Sequence, residues 1–259
     1  MELNKVYCMD NLELLKQLED ESIDLIYCDI LFNTGKRFKD YNDNLGTPQQ
    51  AIEWYRPRLI EMKRVLNDNG NILLQMDYRL VHYLKVEMDN IFGLDNFFNE
   101  IIWSKGNEQN NAKNNLAFRW DCILCYRLNK KNTFNMQYTK FNPKNANRYN
   151  KEDENGKYAL VLDKKANKYY KCYLKDKIPF NNIWNDIPSA KSRRYATEKP
   201  NLLLNRLIKL FSNENDIVAD FFCGSGTSLV VAKELGRQYI GCDINPRAIE
   251  ITNKRLKSI

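Results

Sequence analysis

One stretch constrains the fold more than any other: "DIVADFFCGSGTSLVVAKELGRQYIGCD", residues 216–243. An apolar run ends at Asp220, a glycine-containing turn follows, helical periodicity starts near Thr227, and a second apolar run ends at Asp243. Strand, turn, helix and strand in that order belong to an α/β sheet. The unit leaves backbone N–H groups and a helix N-terminus facing a ligand, with a carboxylate at the second strand's end poised for a ribose diol. Gly224 and Gly226 fit the first two glycines of G-x-G-x-x-G, but Leu229 stands at the third position, which disfavours a dinucleotide.

The same alternation runs through most of the chain. "KVYC" and "SIDLIYC" are expected strands, with the helix "NLELLKQLED" between them. A long helix is expected from about Thr47, with Pro48 at its first position, to Leu66. "NDNG" then predicts a turn before the buried strand "NILLQM". A helix over "YRLVHYLKVEMDNIF" and strands at "FFNEIIWS" and "WDCILCYR" follow. After the interruption described next come the helix "EKPNLLLNRLIKLFS" and, beyond the unit above, the helix "NPRAIEITNKRL". The expected fold is therefore a Rossmann-like α/β domain, with a mainly parallel sheet and helices on both faces.

After Arg127 the periodicity fades into an Asn- and Lys-rich segment. Between residues 131 and 180 stand twelve Lys or Arg against five Asp or Glu, so the chain's whole formal excess of +7 resides there. The division read from this is 1–130, a basic insertion at 131–185, and 186–259. Aromatics such as Phe134, Tyr138, Tyr158, Tyr169 and Tyr170 lie among the lysines, a mixture suited to a nucleic-acid surface.

Several function classes are disfavoured. No apolar run approaches the ~20 residues needed to span a bilayer, and the N-terminus has no secretory h-region, so a cytoplasmic location is expected. The seven cysteines are odd in number and lie mostly in strand-like contexts, which points to reduced, buried thiols. Cys122 and Cys125 form a C-x-x-C without a second pair, and His82 is the only histidine, so no metal site is expected and a Ser-His-Asp triad is disfavoured.

A second motif is "LIYCDILFNTGKRFKDYND", where a strand ends in the lone carboxylate Asp29 beside Phe32. With the glycine turn, it resembles the β-class, circularly permuted S-adenosylmethionine-dependent DNA amino-methyltransferases. Their catalytic tetrapeptide is Asp-Pro-Pro-Tyr or Asp-Pro-Pro-Phe, often continued as Asn-Thr-Gly. Asp29, Phe32, Asn33, Thr34 and Gly35 match, while Ile30 and Leu31 replace both prolines. "D-F-F-x-G-S-G-T" resembles the family's cofactor loop. "YATEKP" resembles its segment His-Pro-Thr-Gln-Lys-Pro, with Thr197, Lys199 and Pro200 matching. Asp10 follows the first strand, where the family has an acid near the cofactor's adenine. Catalytic motif first, basic segment next and cofactor loop last is the β-class order.

The resemblance implies transfer of a methyl group from S-adenosylmethionine to adenine N6 of a flipped-out base in double-stranded DNA. Cytosine-N4 transfer and an inactive DNA- or cofactor-binding relative are the alternatives. Asp29 and the residue 30 carbonyl would accept the amine hydrogens and aim the lone pair, with Phe32 stacked on the base. The catalytic set implied is Asp29, Ile30, Leu31 and Phe32. The cofactor set is Asp10, Thr197, Lys199, Pro200, Asp220, Phe221, Phe222, Cys223, Gly224, Ser225, Gly226, Thr227 and Asp243. A homodimer and a cognate restriction enzyme are implied as partners. Because prolines hold a loop stiff without N–H groups, Ile30 and Leu31 predict a looser loop and reduced activity.

Overall fold

The computed structural model describes residues 1–38, 41–106, 113–114, 116–140, 146–190 and 198–259. Residues 1–135 with 182–259 form one compact unit, and Met136–Asn181 form a second.

The first unit begins with β1 (Lys5–Cys8), α1 (Asn11–Lys16) and β2 (Ile23–Asp29), then a short hairpin of β3 (Lys36–Arg37) and β4 (Asn42–Asp43). α2 (Pro48–Val65) starts where its sequence predicts. Thr47 and Gln50 form a reciprocal capping box, and Pro48 takes a position whose N–H would have no helical acceptor. β5 (Leu66–Met76), α3 (Val81–Phe92), β6 (Phe97–Ser104) and β7 (Trp120–Arg127) follow. "NDNG" does not end a strand. It sits inside β5 as an irregularity, where pairing with β2 jumps from Ile23↔Leu66 to Leu25↔Asn71.

The second unit contains β8 (Tyr138–Lys140), β9 (Lys151–Asp153), β10 (Gly156–Asp163), β11 (Lys168–Tyr173) and β12 (Lys177–Pro179). β9, β10 and β11 make an antiparallel sheet, and β8 pairs with β12. Tyr158 and Tyr173 face each other across β10 and β11, with Lys171 above the Tyr158 ring. Leu160, Leu162, Tyr169 and Tyr170 of the same sheet are exposed.

Back in the first unit come β13 (Ile183–Trp184), α4 (Asn201–Phe211), β14 (Ile217–Asp220), α5 (Thr227–Glu234), β15 (Gln238–Asp243) and α6 (Pro246–Lys257). Its main sheet runs β1-β15-β14-β2-β5-β7-β6-β13. β1, β15, β14, β2 and β5 are mutually parallel, whereas β7 runs antiparallel to both β5 and β6. The sheet is thus mainly parallel, as the alternation predicts.

Strand alternation sends side chains to two cores. Ile26, Cys28, Ile72, Leu74, Cys122 and Leu124 pack with residues of α1, α2 and α3. Leu25, Tyr27, Leu73, Ile123 and Cys125 pack with α4 and α5. Burial on both faces explains why β2 and β5 read as continuous apolar runs. It also separates Cys122 from Cys125, which lie three residues apart on a strand and enter opposite cores.

The order in which successive strands are added reverses between the parallel neighbours β14 and β2. From β14 the chain moves outward to β15 through α5, and from β2 it moves the other way to β5 through α2. Open α/β sheets bind ligands at the carboxyl ends of strands flanking such a switch point. Asp29 and Asp220 end those two neighbouring strands.

Candidate active site

A cavity of about 400 Å³ opens at this edge. Asp29, Ile30, Leu31 and Phe32 line it from the end of β2. Asp220, Phe221, Phe222, Cys223, Gly224, Ser225 and Thr227 line it from β14 and the turn, and Asp243 from the end of β15. Asp10 and Lys199 are also on its wall. Three expected members are placed differently. Gly226 lies behind the wall, Pro200 caps α4, and Thr197 lies outside the described residues.

The glycine turn is shaped by its own contacts. Gly226 has φ +72°, and a methyl group at its Cα would collide with the Thr252 side chain, so only glycine fits. The Gly224 N–H donates to Asp243 Oδ2 at 2.9 Å, and the Asn245 N–H donates to Oδ1 at 2.8 Å. These bonds hold the carboxylate at the cavity wall with lone pairs to spare. Burial raises the Asp243 pKa, and the two N–H donors pull it back.

Asp220 is 3% exposed. Its carboxylate accepts from the Ser228 hydroxyl and, at 3.0 Å, from the Phe222 N–H. Burial pushes its pKa up to about 7 against those two bonds, with Asp29 and Asp243 adding to the rise. Asp10 has a structural duty as well: one oxygen caps α1 through the Leu12 N–H, and the other pairs with Arg58 at 2.9 Å. Arg58 in turn lies over the Trp54 ring.

Asp29 ends β2 on the cavity wall. Its Oδ2 accepts from the Lys199 ammonium, while Oδ1 is buried without a hydrogen-bond partner among the described residues. Burial raises its pKa, Lys199 opposes this, and Asp121 adds to it. The loop after Asp29 is tied down by contacts that the sequence does not announce. The Ile30 N–H donates to the Gln75 carbonyl at 3.2 Å, and the Leu31 carbonyl accepts from the Tyr55 hydroxyl at 2.8 Å. Asp43 accepts from both the Asn33 and Thr34 N–H groups and from the Thr34 hydroxyl. Asn33, with φ +55°, bonds the Leu45 N–H and the Gly46 carbonyl. Ile30 is 4% exposed and belongs to the core. The loose loop predicted from the missing prolines is instead a hydrogen-bonded one.

Sequence reasoning missed a buried polar chain on the cavity floor. The Tyr27 hydroxyl donates to Gln75 Oε1 at 2.7 Å, Gln75 Nε2 donates to Asp121 Oδ2 at 3.0 Å, and Asp121 pairs with Lys105 at 2.5 Å. The available signal was a lone acid and a lone amide in the apolar runs of β7 and β5.

Seven carboxylates and two lysines line this cavity among the described residues. Its acidity suits a cationic ligand, its volume a small molecule, and Asp243 a diol, which together fit S-adenosylmethionine with its sulfonium and ammonium groups. An α/β fold with a cavity at its switch point is the arrangement in which open parallel sheets bind small ligands. Residues 23–254 match the DNA methylase family of N6 and N4 enzymes. The type II methyltransferase M.EcaI of Enterobacter cloacae is 30% identical, over 97% of this chain and 69% of that protein. The DNA adenine methyltransferase YhdJ of Escherichia coli is 29% identical, over 95% and 80%. Among solved structures, the cytosine-N4-specific PvuII DNA methyltransferase aligns with a TM-score of 0.68 at 17% identity, over 98% of this chain and 86% of that one. The M1.HpyAVI complex with S-adenosylmethionine aligns at 0.57 and 20%, over 97% and 98%. The chain belongs to this family of S-adenosylmethionine-dependent DNA methyltransferases. Among the described residues, no helix is long and apolar enough to cross a membrane.

Proposed function

We propose that this chain methylates adenine N6 in double-stranded DNA, with Asp29 gripping the amine of an extruded base. The observation that carries the reading is Oδ1 of Asp29, buried without a partner among the described residues and in the same cavity as the glycine turn and Asp243. The exocyclic amine is a poor nucleophile because its lone pair is delocalised into the ring. Oδ1 accepts one amine hydrogen and the Ile30 carbonyl the other, which localises the lone pair and aims it. S-adenosylmethionine, when bound, supplies an electrophilic methyl group on its sulfonium. Asp243 and the turn from Phe221 to Ser225 hold it, and Phe32 stacks on the base.

Since the amine lies inside the duplex, the base is flipped out at a cost of a few kcal/mol. The basic second unit, with exposed Tyr169 and Tyr170 among its lysines, supplies phosphate contacts and acts as the target-recognition region. The circularly permuted motif order of the β class belongs to the same proposal, as do a cytoplasmic location, a homodimer and a cognate restriction enzyme. Support for adenine comes from the aspartate-headed tetrapeptide ending in Phe32, together with the adenine enzyme among the relatives. The test is to incubate DNA with the chain and labelled S-adenosylmethionine, then digest the product to nucleosides. Label in N6-methyladenosine supports the proposal, label in N4-methylcytosine moves it to the other base, and no label refutes it.

A further inference from the structure

We infer that Lys199 is a positioning residue for Asp29: its ammonium holds Oδ2 and leaves Oδ1 as the one oxygen presented to the target amine. This rests on the methyl-transfer reading above, which gives Oδ1 its partner. It also moves Lys199 away from the cofactor-binding duty that its sequence context suggests.

The geometry is specific. Lys199 and Asp29 lie 170 positions apart in sequence, and their side chains are 10% and 20% exposed. The Lys199 Nζ stands 5.1 Å from the centre of the Phe32 ring, so one ammonium touches both ends of the tetrapeptide. The segment carrying it is anchored on each side. Glu198 pairs with Arg255 of α6 at 3.3 Å, with both side chains under 10% exposed, and Pro200 is the N-cap of α4. A lysine held at both flanking residues presents its charge from a fixed direction and is not a mobile surface cation.

Asp29 needs such a partner. Asp121 on β7 and Asp220 on β14 are like charges facing it, and the Tyr27 phenol lies on its own strand. Among the described residues, Lys105, beyond β6, is the other cation acting on it and is already paired with Asp121. Without Lys199, burial and these neighbours favour the protonated carboxyl. A protonated Asp29 would offer its own O–H where an acceptor is required. Lys199 thus does two things at once: it keeps Asp29 ionised, and it occupies the oxygen that would otherwise compete for the amine.

The test compares Lys199→Met, Lys199→Gln and Lys199→Arg with the parent chain by three measurements. These are the carboxylate ¹³C titration of ligand-free protein (Asp29 assigned by its loss in Asp29→Asn), the pH profile of single-turnover methyl transfer, and calorimetric S-adenosylmethionine affinity. With Lys199→Met and Lys199→Gln, the Asp29 midpoint and the acid limb of the rate profile both move up by about one to three pH units. Lys199→Arg restores both, and cofactor affinity stays within a few-fold throughout. An unmoved Asp29 midpoint with weakened cofactor affinity overturns the proposal and returns Lys199 to the cofactor. Normal transfer by Asp29→Ala removes the functional reading itself, a failure distinct from one confined to Lys199.

Discussion

Replacing Ile30 by proline restores one residue of the family tetrapeptide, and the structure predicts that this gains nothing. The Ile30 N–H donates to the Gln75 carbonyl across β2 and β5. Proline deletes that bond and leaves the carbonyl of the buried Gln75 without its donor, at a cost of about 1–3 kcal/mol. Proline also carries one carbon fewer at a site only 4% exposed, worth about 0.8 kcal/mol. Restriction of the unfolded chain returns about 0.4–1 kcal/mol. The balance is a loss of about 1–3 kcal/mol, or a fall in Tm of about 2–10 °C for a chain of this size. Asp43 and Tyr55 still hold the loop through Asn33, Thr34 and Leu31. The single-turnover rate therefore changes by no more than a few-fold. Calorimetric melting and rapid-quench methyl transfer, both at saturating cofactor and DNA, measure the two quantities. A rate gain approaching 100-fold, the scale set by about 1 Å of misplacement, would refute the claim that the loop is already aligned.

Other outcomes follow from the same geometry. Asp29→Ala removes the amine acceptor and lowers the single-turnover rate by about 100-fold or more, while calorimetry shows cofactor still bound. Gly226→Ala forces a side chain into a left-handed position against Thr252, destabilising the chain by about 1–3 kcal/mol in urea titrations. Thr252→Ala in the same chain removes the two closest contacts but keeps its Cβ at 2.9 Å, and so recovers only part of that loss. The Asp220 carboxyl titrates near 7 in the folded chain and near 4 when unfolded, so the native state keeps a proton that the unfolded state has lost. Stability from this group therefore falls as pH rises from about 4 to about 7 and levels off above. In Asp220→Asn, urea midpoints change less across that window than in the parent chain.

What the sequence revealed depended on how far apart the interacting residues lie. The start of α2 was readable because Thr47, Pro48 and Gln50 are near neighbours whose capping chemistry is local. The turn at Gly224–Gly226 was readable for the same reason. "NDNG" misled because turn-forming residues also serve as an irregularity within a strand, and only the partner strand's register separates the two. The stiffness of the loop after Asp29 could not be read. Its restraints come from Asp43, Tyr55 and Gln75, each placed by a different element. Lys199 was visible as part of a motif, but its hold on Asp29 exists only once α4 packs beside β2. Likewise Gln75 and Asp121 looked like interruptions of apolar strands until strand pairing set them side by side.

The position of β14 between β15 and β2 has a consequence for biosynthesis. Residues 23–76 can leave the ribosome and pair β2 with β5 long before residue 217 is made. Until then one edge of β2 has no neighbour, and Leu25 and Ile26 stand at an open rim of unsatisfied backbone groups. Such an edge recruits other strands, so the nascent chain is most prone to aggregate during this interval. Arrival of β14 both seals that rim and sets Asp220 at the end of the strand beside Asp29, so the sheet loses its sticky edge in the same step that joins two walls of the cavity.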